Sequence, residues 1–186
     1  NRVVFDRPSR IAGHSLVMDP RRNRSCFLSL LLAVELLKGK AANCDLYILG
    51  STREELNSGG ASVGAFSIKP DACVVVDVTH AETPDGGPKN RDCCLGAGPA
   101  IAMGPNMAKW MTRRLFEKAA GRNIPTQTEV MEGNTYTDGW RTQIAREGIP
   151  TSIVSLPMRY MHTPIESISI KDMEWVAELL AAFAED

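Results

Sequence analysis

Two short runs limit the fold more than any other feature of the chain: Ala72-Cys-Val-Val-Val, closing on Asp77, and Ser152-Ile-Val-Ser-Leu-Pro157. Each is almost unbroken in apolar or small side chains and rich in β-branched residues. Each therefore reads as a strand covered on both faces rather than one with a wet side. Such strands need helices above and below the sheet, and the rest of the chain supplies them. Cys26 to Lys38 sets Phe27, Leu30, Leu31, Val34 and Leu37 at helical spacing and stops at Gly39. Further helices are expected from about Gly60, from Asn106 to Ala120 with Trp110, Met111 and Leu115 on one face, and from Thr137 to Glu147 with Gly148 as the stop. A last one follows the capping box Ser169-Ile-Lys-Asp172 and shows Met173, Val176, Leu180 and Phe183 to the core. Asp45-Leu-Tyr-Ile-Leu-Gly50 and Pro125 to Met131 read as further strands, while Thr83 to Asn90 and Gly96-Ala-Gly-Pro99 read as loops. This alternation predicts one α/β domain over residues 1–186, a mixed, largely parallel sheet with helices on both faces.

At 186 residues and 44 % hydrophobic, the chain can bury a core of its own. A formal net charge of -1, with no basic run beyond Arg21-Arg22-Asn23-Arg24, argues against nucleic acid or an anionic membrane as partner. Cys26, Cys44, Cys73, Cys93 and Cys94 are an odd set without CxxC spacing, which fits a reduced, cytoplasmic protein. The most apolar stretch, Cys26 to Leu37, is too short to span a bilayer, and no signal-peptide pattern opens the chain. The first residues, Asn1-Arg-Val-Val-Phe-Asp6, are strand-like and lack an initiator Met, as expected for the C-terminal part of a longer polypeptide.

Chemistry gathers where the strands end. Glu54-Glu55, in Ser51-Thr-Arg-Glu-Glu-Leu-Asn-Ser-Gly-Gly-Ala61, places two adjacent carboxylates after one expected strand and beside glycines. One such carboxylate can bind a cation while its neighbour handles protons. Asp77 closes the second strand, and His162 follows the third. In open α/β sheets ligands collect beyond the carboxyl ends of strands. Carboxylates with one imidazole suit a divalent ion such as Zn²⁺, Co²⁺ or Mn²⁺.

The ordered motifs go further. Glu-Glu-x-x-x-x-Gly-Ala, Asp-Val-Thr-His-Ala, Gly-x-Gly-Pro-Ala-Ile, Thr-Asp-Gly and Gly-Ile-Pro-Thr-x-x-x-x-x-Pro-x-Arg-Tyr-Met-His-Thr-Pro-x-Glu follow one another from Glu54 to Glu166. In this the chain resembles the deblocking and glutamyl aminopeptidases of the tetrahedral (TET) type, some of which are labelled endoglucanases. The resemblance covers Arg21 to the C-terminus. It implies the α/β/α sandwich of zinc peptidases and a site of two divalent metal ions, zinc or cobalt, that removes N-terminal residues from short peptides. Carried over by position, Glu54 is the general base for a metal-activated water, Glu55 and His162 are ligands of one ion, and Asp77 is a ligand of the other. The resemblance also implies homo-oligomers, from dimers up to hollow dodecamers.

Two departures temper that reading. The family's upstream His-x-Asp segment and its inserted dimerisation domain have no counterpart in residues 1–186. An ungapped alignment of Asn23-Arg24 and Leu36-Leu37-Lys38 sets Arg22 where the metal-bridging Asp belongs. At an effective dielectric near 20, a unit charge ~4 Å away costs about 4 kcal/mol, and a dication about twice that. Asp19 is the alternative bridge, provided that Pro20 and Arg21 form a local insertion. The rival reading is a catalytically impaired or non-enzymatic relative that keeps the fold and at most a partial metal site. A third keeps the metal chemistry but acts on an N-acyl amino acid or a glycan.

Other candidates have plainer readings. His80 suits a structural or supporting role, and His14 the surface. Asp138, in Thr137-Asp-Gly139, fits a helix N-cap or a place near the substrate. Cys93-Cys94 reads as a reduced loop. Gly96-Ala-Gly98, followed by Pro99, is no dinucleotide fingerprint.

Overall fold

The computed structural model describes residues 9–18, 22–40, 44–86 and 93–185. The strand-like opening Asn1–Asp6 and the second half of the Thr83–Asn90 loop lie outside them. In chain order the elements are strands β1 (Arg10–Ala12) and β2 (Ser15–Met18), helices α1 (Arg22–Leu37), α2 (Glu54–Asn57) and α3 (Gly59–Ile68), and strands β3 (Cys73–His80) and β4 (Ala100–Met103). Then come α4 (Lys109–Gly121), β5 (Gln127–Val130), α5 (Gly139–Thr142), β6 (Thr151–Arg159), β7 (Glu166–Ser169) and α6 (Ile170–Ala184).

One mixed sheet takes in all seven strands, with β6 at its centre. On one side β6 pairs with β3 in parallel, from Cys73 opposite Thr151 to His80 opposite Met158. On the other side its first half meets β4 and its second half meets β7, both antiparallel. β4 carries β5 in parallel, and β7 carries the β2–β1 hairpin, antiparallel throughout. The apolar runs explain this centre: Thr151 to Met158 is buried at every position, as a strand with neighbours on both edges and both faces requires.

Alternate residues of these strands serve two cores. Val154, Leu156 and Met158 of β6, Val78 and Ile101 pack with Cys26 of α1, Leu115 of α4 and Met173, Val176 and Leu179 of α6. On the opposite face Ile153 packs with Val75, Ala102, Met107 and Met131, while α3 and the segment after α5 contribute Ala65, Ala145 and Ile149. Helices thus cover both faces, giving the α/β architecture expected of the strand pattern. No described helix is long and apolar enough to cross a membrane.

Three local expectations change. Asp45–Gly50 has no regular structure and joins no ladder among the described residues, and Leu46, Tyr47 and Leu49 are exposed. Its apolar character therefore lacks the sheet neighbours that would bury it. α4 begins at Lys109 after the Gly104-Pro105-Asn106 turn, and Trp110 points to solvent while Met111 and Leu115 are fully buried. The buried stripe runs through Met111, Thr112, Leu115 and Ala119, which leaves Trp110 at its edge. The expected helix over Thr137–Glu147 is a single turn, Gly139–Thr142, and the chain beyond it turns left-handed at Arg146, φ 56, and Gly148, φ 97.

The capping box on α6 is used by halves. Ser169 Oγ accepts the Asp172 N–H at 3.2 Å, as the sequence suggests. The Asp172 carboxylate, fully buried, turns away to accept the N–H groups of Gly96 at 2.7 Å and Gly98 at 2.9 Å. The Gly96–Pro99 loop is thereby fastened to the start of α6. Gly98 has φ +96, and a Cβ there would overlap the Pro125 carbonyl oxygen, so only glycine fits.

Candidate metal and catalytic site

Glu54 and Glu55 open the single-turn helix α2. The chain enters it through Arg53 at φ 61 and leaves through Ser58 at φ 53, both left-handed. Non-glycine residues rarely take this conformation, and where they do, the surroundings hold them there. Here the N–H groups of Leu56, Asn57 and Ser58 converge on the Arg53 carbonyl at 3.2, 3.1 and 2.9 Å. The Gly60 N–H donates to the Thr52 carbonyl at 2.9 Å and clamps the turn onto the start of α3. A Cβ at Gly60 would lie 2.6 Å from the Thr52 carbonyl oxygen and overlap its nitrogen, so this close approach depends on glycine.

His162 stands in the turn between β6 and β7. Tyr160 at φ 60 and His162 at φ 64 are again left-handed. The His162 N–H donates to Oε1 of Glu166, a carboxylate buried completely on β7, at 3.0 Å. The two turns, more than a hundred residues apart in the chain, bring His162 Nε2 to 3.7 Å from Glu55 Oε2, with side chains 59 % and 51 % exposed. So exposed a pair adds little to stability. Four left-handed residues, Arg53, Ser58, Tyr160 and His162, thus flank this exposed contact.

Asp77 is half-buried, and its Oδ1 accepts the Val78 N–H at 2.8 Å. It lies within β3 opposite Ser155, not beyond the strand's end, because β6 runs on to Arg159 and keeps the ladder paired to His80. Beside it Ser155 Oγ donates to Glu129 Oε2 at 2.6 Å, and Thr79 Oγ1 donates to the other oxygen of the same carboxylate. Burial, and secondarily the Asp77 charge, pushes the Cys26 thiol far above its ordinary range. Cys73, at the start of β3, is pushed up to about 11 by burial first and by Asp138 second.

Among the described residues no three His, Cys, Asp or Glu side chains converge closely enough to hold a metal ion. Glu55 and His162 meet, and Asp77 does not join them. Asp19 and the side chain of Arg22, the first residue of α1, lie outside the described residues. As a donor set, one carboxylate oxygen facing one imidazole nitrogen fits a borderline divalent ion such as Zn²⁺ or Co²⁺, and supplies two of the positions around it.

His14 is exposed in the β1–β2 turn, and His80 is exposed at the end of β3. Asp138 occupies the N-cap position of α5, yet its side chain makes no capping bond and instead accepts from Ser51 Oγ. Glu166 and Glu129 were not singled out from the sequence. For Glu166 the signal was present, since it is the last residue of the motif that carries His162.

Residues 1–179 match the family model described as M42 glutamyl aminopeptidase. The chain belongs to that family. The lysyl aminopeptidase of Pyrococcus furiosus is 33 % identical over 178 residues, which cover 96 % of this chain and 51 % of that protein. The aminopeptidase APDkam598 from the archaeon Desulfurococcus kamchatkensis superposes with a TM-score of 0.89 at 29 % identity, over 98 % of this chain and 52 % of that one. The Pyrococcus horikoshii TET1 peptidase, which can assemble into a tetrahedron or a large octahedral shell, shares the fold with a TM-score of 0.74 at 23 % identity, over 97 % of this chain and 53 % of that one. This M42 chain thus spans about half the length of the relatives it matches.

Proposed function

We propose that residues 1–186 form the C-terminal, catalytic part of a metal-dependent aminopeptidase that releases N-terminal residues from short peptides. The observation that carries this reading is the approach of Glu55 and His162 to 3.7 Å from two separately strained turns. In it Glu55 and His162 hold one divalent ion, zinc or cobalt, and Asp77, with Asp19 as the alternative to Arg22, belongs to a second. A bound ion would supply Lewis-acid polarisation of the scissile carbonyl. The work of the chain's own residues is proton transfer and placement. Glu54, adjacent to a ligand and half-buried, takes the proton of the attacking water and returns it to the leaving amine. Glu166 holds the His162 turn by its buried carboxylate, and the Arg53–Ser58 backbone aims both glutamates together.

The exposed apolar segment 45–50 supports placement within a longer polypeptide, because Leu46, Tyr47 and Leu49 need a covering partner. Homo-oligomers and a reduced cytoplasmic setting belong to the same proposal.

Release of p-nitroaniline from a panel of aminoacyl p-nitroanilides, with Zn²⁺ or Co²⁺ and with chelator, tests it. The expected result is metal-dependent turnover that Glu54→Gln abolishes while metal binding survives. Metal binding without turnover on any substrate would instead support the impaired relative.

A further inference from the structure

We propose that Asp138 is a positioning residue for the Glu54–Glu55 turn, acting through the hydroxyl of Ser51. The inference rests on the reading of that turn as the catalytic one and extends it to a residue 87 positions beyond Ser51 in the chain.

Asp138 sits where a helix cap would sit, at the N-cap of α5, with φ -56 and ψ -22. These are helical angles rather than the extended ones a capping residue needs, and the side chain makes no capping hydrogen bond. The start of α5 is served instead by Thr137 Oγ1, which accepts the Gly139 N–H at 3.1 Å. Asp138 is thus released from the local role that its sequence position suggests. One of its oxygens accepts the hydroxyl of Ser51, 87 residues upstream. The other, Oδ1, is buried without a hydrogen-bond partner among the described residues. A buried carboxylate oxygen left without a donor is costly, so a fold that keeps one retains it for some other reason.

Ser51 is the hinge between two unlike segments. Before it, residues 45–50 have no regular structure and make no ladder among the described residues. After it, Thr52 is clamped by the Gly60 N–H, and Arg53 turns left-handed to launch α2. The segment that carries the general base and a metal ligand therefore lacks the sheet pairing that fixes Asp77 and the approach to His162. A charge-assisted bond from Asp138, on an α5 whose Gly139 packs directly against Ile153 of the central strand, supplies a rigid anchor in its place.

The test is amide hydrogen exchange of the full metal-free chain, read over a peptide spanning residues 52–60, together with kcat and KM on the best p-nitroanilide. Ser51→Ala is expected to speed exchange in this peptide by about tenfold, the effect of losing one charge-assisted bond, while the β6 and α6 peptides stay unchanged. Ser51→Thr, which restores a hydroxyl, should return exchange to the wild-type rate. Adding Asp138→Ala to Ser51→Ala should speed it no further, since both remove one interaction. In active enzyme the same variants should lower kcat with KM little changed. If Ser51→Ala leaves the 52–60 peptide unchanged, or the two substitutions add, the proposal is overturned. If Asp138→Ala loosens the whole molecule, Asp138→Asn serves as the milder variant, and additivity with Ser51→Ala again overturns it. Altered exchange in a chain that turns over no substrate would uphold the anchor and sink the catalytic reading of the turn.

Discussion

Gly60→Ala should separate activity from stability more cleanly than any other single change. The new Cβ would sit 2.6 Å from the Thr52 carbonyl oxygen and 2.9 Å from Thr52 Oγ1, where ordinary contact begins at 3.4 Å. The nearest atom of all, the Thr52 nitrogen, would overlap the Cβ outright, so the Thr52 backbone must retreat by about 1 Å to reach ordinary contact. Glu54 is two residues further on. Misplacing a catalytic group by about 1 Å costs roughly a hundredfold in rate. Stability moves much less, because losing the Gly60 hydrogen bond to Thr52 costs about 1 kcal/mol while alanine gains roughly 0.5–1 kcal/mol over glycine in a helix. With residual strain the net loss is about 1 kcal/mol, a fall in Tm of about 2–4 °C for a chain of this size. Measuring kcat/KM on a p-nitroanilide beside a thermal melt checks both. Gly64→Ala is the contrast: the three atoms nearest its new Cβ all belong to the exposed side chain of Leu49, which can change rotamer, so activity should stay within about threefold. A Gly60→Ala enzyme as active as the wild type would refute the reasoning.

Glu166→Ala removes the acceptor of the His162 N–H and empties the fully buried place of the Glu166 side chain, and should destabilise the fold by about 2–4 kcal/mol in urea unfolding. Glu166→Gln keeps an acceptor oxygen and should recover most of that loss. Cys73 gives a signed pH dependence. Its folded pKa of about 11 lies above the ordinary 9.0, so its contribution is intact below pH 9 and is lost as pH rises from 9 toward 11. Alkaline unfolding curves of Cys73→Ala should lack that part of the decline. At pH 8 an alkylating reagent should modify the exposed Cys44 well before the buried Cys26 and the half-buried Cys73, whose thiols are both pushed up by burial.

The central sheet was legible because Ala72–Asp77 and Ser152–Pro157 could be nothing but covered strands, and Ser169 announced α6 by a side chain that does accept from Asp172. The β1–β2–β7 edge was not. Arg10–Ala12 and Glu166–Ser169 are three and four residues long, and only pairing across the whole chain makes strands of them. The 45–50 segment misled in the other direction. Its apolar pattern states what it would bury against, while ladder formation depends on neighbours that the pattern cannot name. At the site, residue types suggested Glu54, Glu55, Asp77 and His162 as candidates, and the motif order gave them roles. Geometry added the facing of Glu55 to His162, the fully buried Glu166 behind it, and the turn of Asp138 away from its own helix. Periodicity reports burial along one element, and none of these three relations lies within one element.

The measurement nearest the heart of the account is Zn²⁺ binding to the full chain by titration calorimetry, compared among wild type, Glu55→Ala, His162→Ala and the double variant. If one ion bridges the two side chains that lie 3.7 Å apart, each single substitution should weaken binding by about tenfold to a hundredfold, and the double should fall short of the sum of the two. Affinity unchanged by His162→Ala would contradict it.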